Sequence, residues 1–222
     1  MKYIVSEKRL GDTIHAYCVA KRCNIKLITS TKWSTLFDNN VVDTINNIDP
    51  NNTYYLHGSI DDNHVIKPVE NIHIRDVIGY KISKTNNFTS ALLEIKPYNF
   101  TNKTVILCTR SFMSYKHWNG DWQAIENYLI YKGYTVIYDT ANLSIETLVS
   151  YIAGSEFIIS IDTSCVHIAD CYNVPIIGLY TATSIKQFGP YSGHPYCLEK
   201  DNITLENIKI QIDKLSIETK NK

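Results

Sequence analysis

The sequence has no apolar run long enough to cross a bilayer, and its opening, MKYIVSEKRLGD, has no long apolar core of a secretion signal. The expectation is a cytoplasmic protein with no transmembrane segment. Cysteine is sparse: six residues, at 18, 23, 108, 165, 171 and 197, with no C-x-x-C pair. A reduced protein is expected, not a disulfide scaffold or a zinc site. The chain holds no G-x-x-x-x-G-K-[ST], which excludes a P-loop, and no G-x-G-x-x-G, which excludes the dinucleotide fingerprint. It also lacks a D-x-D to hold a metal against a diphosphate. Asp61-Asp62 sits in a polar stretch and reads as solvated. No Ser, His and Asp fall in an order specific enough for a hydrolase.

What remains is an ordinary globular profile of 222 residues, 44% hydrophobic and 20% charged, enough for one large domain or two small ones. Asn, Ile, Lys and Tyr are abundant, as AT-rich genomes produce. Net charge is zero but uneven: residues 1–37 carry seven Lys/Arg against Glu7 and Asp12. A basic N-terminal lobe on a neutral chain fits either a polyanionic partner or a solvated helix face.

Hydrophobic patterning gives the architecture. KYIV (2–5), a helix from Thr13 to Arg22, IKLIT (25–29) and a helix over TKWSTLFDNN (31–40) alternate strand and helix, with Gly11-Asp12 as the turn and Asp12 as N-cap. VVDTI (41–45) and TYYLHG (53–58) are short strand candidates, and IHIRDVIGYKIS (72–83) has helical spacing. LLEIKP (92–97) reads as an extended linker. The second half repeats the rhythm. Strands are expected at KTVILCT (103–109), YTVIYD (134–139), FIISI (157–161) and VPIIGLY (174–180). Helices are expected at Trp122–Tyr131 with Gly133 at its end, at LSIETLVSYIAGS (143–155) capped by Ser144, and at 205–215. This alternation predicts an α/β protein built on parallel sheets.

The ligand crevice of such a sheet lies at the carboxyl ends of its strands, which directs attention to three loops. The first holds Gly11-Asp12. The second holds Thr109, Arg110, Lys116, His117 and Trp118. The third runs Asp162-Thr163-Ser164-Cys165-Val166-His167, with Thr181-Ala182-Thr183 one strand later. A helix opening after Asp-Thr-Ser offers free backbone N–H groups to phosphate oxygens, and a His in its first turn can donate to an anion. Simple helix capping explains Asp162 or Thr163 equally well. With Lys116 as a point charge, the second and third loops make a diphosphate cradle. Asp12, in the other half, is placed to take a proton from an acceptor hydroxyl.

These stretches resemble glycosyltransferase family 9, the ADP-heptose:lipopolysaccharide heptosyltransferases. R-L-G-D-T-I-H (9–15) is similar to the family's L-G-D-[VT]-[VI]-H loop, and T-R-S-F-M-S-Y-K-H-W (109–118) to its T-[TS]-R-x-x-K-x-W loop. I-D-T-S-C-V-H-I-A-D-C-Y-N-V-P-I-I-G-L-Y-T-A-T (161–183) is similar to D-[ST]-G-x-x-H-x-A-A-A-x-x-x-P-x-x-x-L-[FY]-G-P-T, with Ser164 in place of Gly and Thr181-Ala182 in place of Gly-Pro.

The resemblance implies a GT-B fold, two Rossmann-like parallel-sheet domains with a cleft between them. Residues 1–100 form the acceptor side and 101–203 bind the nucleotide sugar, while a helix in 204–222 crosses back toward the N-terminal domain. It implies metal-independent, inverting transfer from a nucleotide-diphosphate sugar; the donor is expected to be UDP- or ADP-linked, and no cofactor is expected. By residue, Asp12 is the base, and Arg9, Gly11 and His15 lie on the acceptor side. Thr109, Lys116, Thr163, Ser164 and His167 bind donor phosphates, and Asp162, Asp139 and Arg110 meet the donor sugar or nucleotide.

Three functions compete. The small size, AT-rich composition and basic lobe favour transfer to a modified base, 5-hydroxymethylcytosine, in phage DNA. The alternatives are transfer to a lipopolysaccharide or other glycan, and a non-catalytic module that binds nucleotide sugars.

Overall fold

The computed structural model describes residues 2–6, 8–43, 52–56, 65–86, 88–139, 143–193 and 195–218. Asp61-Asp62 and the far ends of the strand candidates at 41–45 and 53–58 lie outside the described residues. The chain divides into two compact units, Met1–Ile95 and Lys96–Lys222, so the division falls a few residues before the expected boundary at 100. No helix among the described residues is long and apolar enough to cross a membrane.

In the first unit, strands β1 (Tyr3–Ser6), β2 (Lys26–Thr29), β3 (Val42–Asp43) and β4 (Thr53–Tyr55) join in the order β3-β2-β1-β4, and every pairing is parallel. Helix α1 (Leu10–Cys23) connects β1 to β2, and α2 (Ile74–Ser83) follows the sheet and packs on α1. The core gathers Ile4, Leu27 and Ile28 from the strands, Ile14, Tyr17 and Cys18 from α1, and Ile78 and Ile82 from α2.

Two local expectations are corrected here. Helix α1 begins at Leu10, not Thr13, so Gly11 and Asp12 are helical and Arg9 takes the N-cap position without a side-chain bond. Leu10 is buried, and the Thr13 hydroxyl donates back to the carbonyls of Arg9 and Ser6, which draws the chain into the helix one turn early. Asp12 therefore stands in the first turn, where the helix dipole favours a carboxylate. The expected helix over 31–40 reduces to a turn and one 3-10 turn at Ser34–Leu36. Ser34 and Asp38 bond to nearby backbone instead, and Leu36 and Phe37 enter the core, with Phe37 4.8 Å from the Tyr17 ring.

In the second unit the strands are β5 (Thr104–Cys108), β6 (Thr135–Tyr138), β7 (Phe157–Ile161), β8 (Ile176–Tyr180) and β9 (Leu198–Glu199). They form a fully parallel sheet in the order β6-β5-β7-β8-β9. The connecting helices are α3 (Trp122–Tyr131), α4 (Ile145–Gly154), α5 (Ser164–Cys171), the single turn α6 (Ile185–Phe188) and α7 (Leu205–Glu218). Val105, Leu107, Phe157, Ile159, Ile161, Ile177 and Leu179 pack against Ile125 and Leu129 of α3 and Ile208, Ile212 and Leu215 of α7. Strand alternation sends Ile106, Cys108, Ile158 and Ser160 to the opposite face, where α5 lies on β7 and β8. The end of α3 is set by Gly133 at φ +86°, whose N–H donates to Ile130, a conformation a side chain resists. Ser144 caps α4 by accepting from the Thr147 amide.

Helix α7 belongs to the second unit. Ile208, Ile212 and Leu215 pack on α3 and the sheet, and polar groups bond there as well. Asp213 accepts from the Tyr128 hydroxyl at 2.9 Å and pairs with Lys132 at 2.7 Å, and Ser216 bonds the Tyr134 hydroxyl. The Lys132 hydrogen bond holds the Asp213 carboxyl below its ordinary pKa. A depressed carboxylate contributes stability above its unfolded value and loses it as pH falls through the folded one. The wild type should therefore lose part of its stability on acidification below the ordinary aspartate range, and Asp213→Asn should flatten that limb of a Tm-against-pH profile.

Tyr98 and Phe100, just past the division, pack edge-on against Tyr151 of α4, and the Tyr98 amide donates to Ser150. Gly154 permits this approach, because a Cβ there would lie 2.0 Å from the Tyr98 carbonyl oxygen. Gly154→Val should destabilise the second unit by roughly 1–3 kcal/mol, read by chemical denaturation.

Candidate active site

The strand orders locate the ligand crevices. In the second unit the chain passes from β5 outward to β6, then returns to place β7 on the other side of β5. The switch point lies between the carboxyl ends of β5 and β7, where the crevice of an open parallel sheet forms. The loops that leave these two strands carry Thr109–Lys116 and Asp162–Ser164.

These loops converge on Asp162. Its carboxylate is 3% exposed and lies 2.6 Å from Lys116 Nζ, while the Thr183 hydroxyl donates to the same oxygen at 2.6 Å. The Thr181 hydroxyl donates to the Tyr115 carbonyl at 3.2 Å, so the loops after β5, β7 and β8 are joined at two points. Lys116 keeps part of its side chain in solvent while its ammonium reaches a buried anion. Thr163 caps α5 by accepting from the Cys165 amide, and Ser164 is the first helical residue. Thr163 thus fills the capping role, and α5 still directs its N-terminal end at this edge. Arg110 is exposed, as are Tyr115 and Phe112, which is entirely open to solvent.

Two further donor-side candidates lie on α5 and just past β6. His167 is the fourth residue of α5 and is 5% exposed, close to the burial of Asp162. Asp139 directs its carboxylate at the end of β5. One oxygen accepts from the Thr109 amide at 2.9 Å and the Thr109 hydroxyl at 3.4 Å, and the other from the Arg110 amide at 3.4 Å. Burial pushes its pKa up, and these amides oppose the shift. Asp139 thereby ties the loop after β5 to the end of β6.

In the first unit β1 sits between β2 and β4, so the β1–α1 connection with Arg9 and the first turn with Gly11 and Asp12 occupies that sheet's own switch point. Arg9 is exposed and Asp12 half-buried. His15, the remaining acceptor-side candidate, is buried in the first unit. It is 1% exposed, its ring stands edge-on to His73 at 5.2 Å, and its Nδ1 accepts from Arg75 Nε at 3.4 Å. Its neighbours on α1, from Thr13 to Ala20, are buried with it.

Sequence reasoning missed two groupings. Arg75 is fully buried and donates to Ser90 at 2.8 Å; its position beside Ile74 and Ile78 on the apolar face of α2 was the available signal. Cys108, Cys165 and Asp139 come together with ligating atoms within 4.8 Å of one another, where no zinc site was expected from spacing. Burial pushes the Cys108 thiol well up, and contact with Cys165 and Asp139 adds to the shift.

Residues 140–213 match the family model of glycosyltransferase family 9 (heptosyltransferase), a segment that contains Asp162, Thr163, Ser164 and His167. Solved structures of that kind share the fold. The dodecameric iron-containing heptosyltransferase TibC of enterotoxigenic E. coli, in complex with ADP-D-beta-D-heptose, superposes with a TM-score of 0.77 at 14% identity, over 97% of this chain and 76% of that one. A family 9 glycosyl transferase from Veillonella parvula gives 0.72 at 14% identity, over 98% and 96%. The E. coli ADP-heptose lps heptosyltransferase II gives 0.70 at 11%, over 99% and 100%.

Together these findings support a glycosyltransferase. The segment 140–213 is heptosyltransferase-like, and the two parallel sheets match the fold of GT-B heptosyltransferase structures. A comparison with curated protein sequences finds no match.

Proposed function

We propose that the protein transfers a sugar from an ADP-linked, heptose-type donor to a hydroxyl of a glycan acceptor. The observation that carries this reading is the Lys116–Asp162 pair at the β5/β7 switch point, with Asp162 inside the segment that matches the heptosyltransferase model. The structural neighbours named for ADP-heptose and for lipopolysaccharide favour a glycan acceptor over modified DNA. Nothing among these similarities supports the phage-DNA reading favoured by composition and the basic lobe.

In the proposed reaction the acceptor oxygen attacks the anomeric carbon as the bond from that carbon to the diphosphate breaks. The diphosphate departs with the electron pair, and the acceptor proton passes to Asp12, so the anomeric centre inverts. Lys116 offsets the charge that develops on the diphosphate, and the free amides at the start of α5 add to it. Asp162 holds the ammonium in place until the donor arrives.

A cation already present at the diphosphate makes transfer independent of added Mg2+ or Mn2+. Equal rates with and without these ions are expected, and a strict requirement would contradict this part of the mechanism. The function itself is tested by incubating the protein with ADP-heptose and a deacylated core oligosaccharide. ADP release with a gain of one heptosyl unit on the acceptor is the expected result, and unchanged acceptor and donor would contradict it.

A further inference from the structure

The carboxyl end of the second sheet carries a second grouping, to which the proposed transfer assigns no step. Cys108 ends β5, Cys165 is the second residue of α5, and Asp139 lies just past β6. The two sulfurs and a carboxylate oxygen lie within 4.8 Å of one another, the one such trio among the described residues. Cys108 is fully buried and Cys165 is 4% exposed. Strand parity sends the Cys108 side chain to the α5 face, and the first turn of α5 lowers Cys165 toward it.

We infer that Cys108, Cys165 and Asp139 form a binding site for a thiophilic divalent cation of the zinc type, which ties β5, β6 and α5 together beneath the loops of the donor edge.

Three features fit such an ion. The donor set is two thiols and one carboxylate, a soft combination that selects zinc-like ions over magnesium or calcium. Tetrahedral ligands with metal–sulfur bonds of about 2.3 Å stand roughly 3.8 Å apart, so modest side-chain rotation closes the trio around an ion. The Asp139 carboxylate is also held in orientation by the amides of Thr109 and Arg110, as outer partners hold metal-ligating carboxylates.

Three protein ligands leave a fourth position for solvent. Binding displaces one proton from each thiol, so the ion replaces two protons and the resulting site carries one net negative charge. The plainer reading is that the two cysteines are small apolar fillers of the sheet edge.

The test uses the full chain without a histidine tag, stripped with a chelator, incubated with zinc and passed through a gel-filtration column. Elemental analysis should find one zinc per chain, and cobalt should give the thiolate charge-transfer and visible bands of a tetrahedral sulfur site. Cys108→Ser with Cys165→Ser should lose both signals, while Cys23→Ser with Cys197→Ser keeps them. No metal above the stripped control in the wild type, or equal retention by the Cys108/Cys165 variant, would overturn the site. If circular dichroism shows that variant unfolded, Asp139→Asn decides the question. Zinc affinity weakened by at least about tenfold supports the site, and unchanged affinity overturns it. These readouts do not depend on transferase activity, so the site can fail without the proposed function failing, and the reverse.

Discussion

Asp12→Ala should leave nucleotide binding unchanged and lower the rate of transfer by about 10²–10⁴-fold, the usual contribution of a positioned general base. The two effects separate because Asp12 belongs to the first unit, while the phosphate-side residues belong to the second. Asp12 sits in the first turn of α1 at the switch point of its own sheet. A carboxylate there is favoured by the helix dipole, so its loss also costs stability, on the order of 0.3–1 kcal/mol. That cost is too small to unfold the unit, so a lost rate would reflect chemistry. Asp12→Asn keeps the shape and removes the base, and should match the alanine variant in turnover. Calorimetric titration with ADP, run beside a product assay, reads both quantities. Full activity in either variant would remove Asp12 from the mechanism.

Lys116→Ala should weaken ADP binding by about 10–100-fold, since charge-assisted bonds to phosphate contribute roughly 1.5–3 kcal/mol. It should also destabilise the second unit. The Asp162 side chain is 4% exposed and would keep only the Thr183 hydroxyl. Stripping the partner from a fully buried pair costs about 3–5 kcal/mol. Lys116 is 21% exposed, so solvent screening brings the expected loss to roughly 1–3 kcal/mol. A paired change separates the two roles. Lys116→Met with Asp162→Leu removes both charges together, and should recover most of the stability without recovering nucleotide binding. Recovery of both would make the pair a purely structural bond.

Much of this arrangement was legible before any coordinates, for physical reasons that differ by element. FIISI at 157–161 is an apolar β-branched run, and the strand forms over those residues. The helix at Trp122–Tyr131 is bounded by Asp121 and Gly133, and Ser144 announces α4 by capping it. Such signals act within a few residues, so sequence carries them.

The misreadings came from effects that act across the fold. The stretch 31–40 has turn-forming side chains and two residues, Leu36 and Phe37, that the core takes in without a helix. His15 already lay inside the expected helix, and its burial depends on Arg75 and His73, which reach its ring from a distant part of the chain. The docking of α7 on α3 is a further contact across the fold, for it joins Asp213 to Tyr128 and Lys132 far earlier in the chain.

The candidate site divides in the same way. Asp162, Thr163 and Lys116 were visible as polar groups at strand ends. Their convergence depends on the strand order β6-β5-β7-β8-β9, which periodicity does not encode. The approach of Cys108 to Cys165 follows from the same order, as does the turn of Asp139 onto the end of β5.

The most direct measurement places two acceptors side by side: a deacylated core oligosaccharide and 5-hydroxymethylcytosine DNA. Each is incubated with the protein and with ADP-heptose or a UDP-hexose, and the products are weighed by mass spectrometry. The account predicts a heptosyl gain on the oligosaccharide from the ADP-linked donor, with the DNA unchanged. A gain on the modified cytosine, or no transfer from either donor to either acceptor by protein shown to be folded, would contradict it.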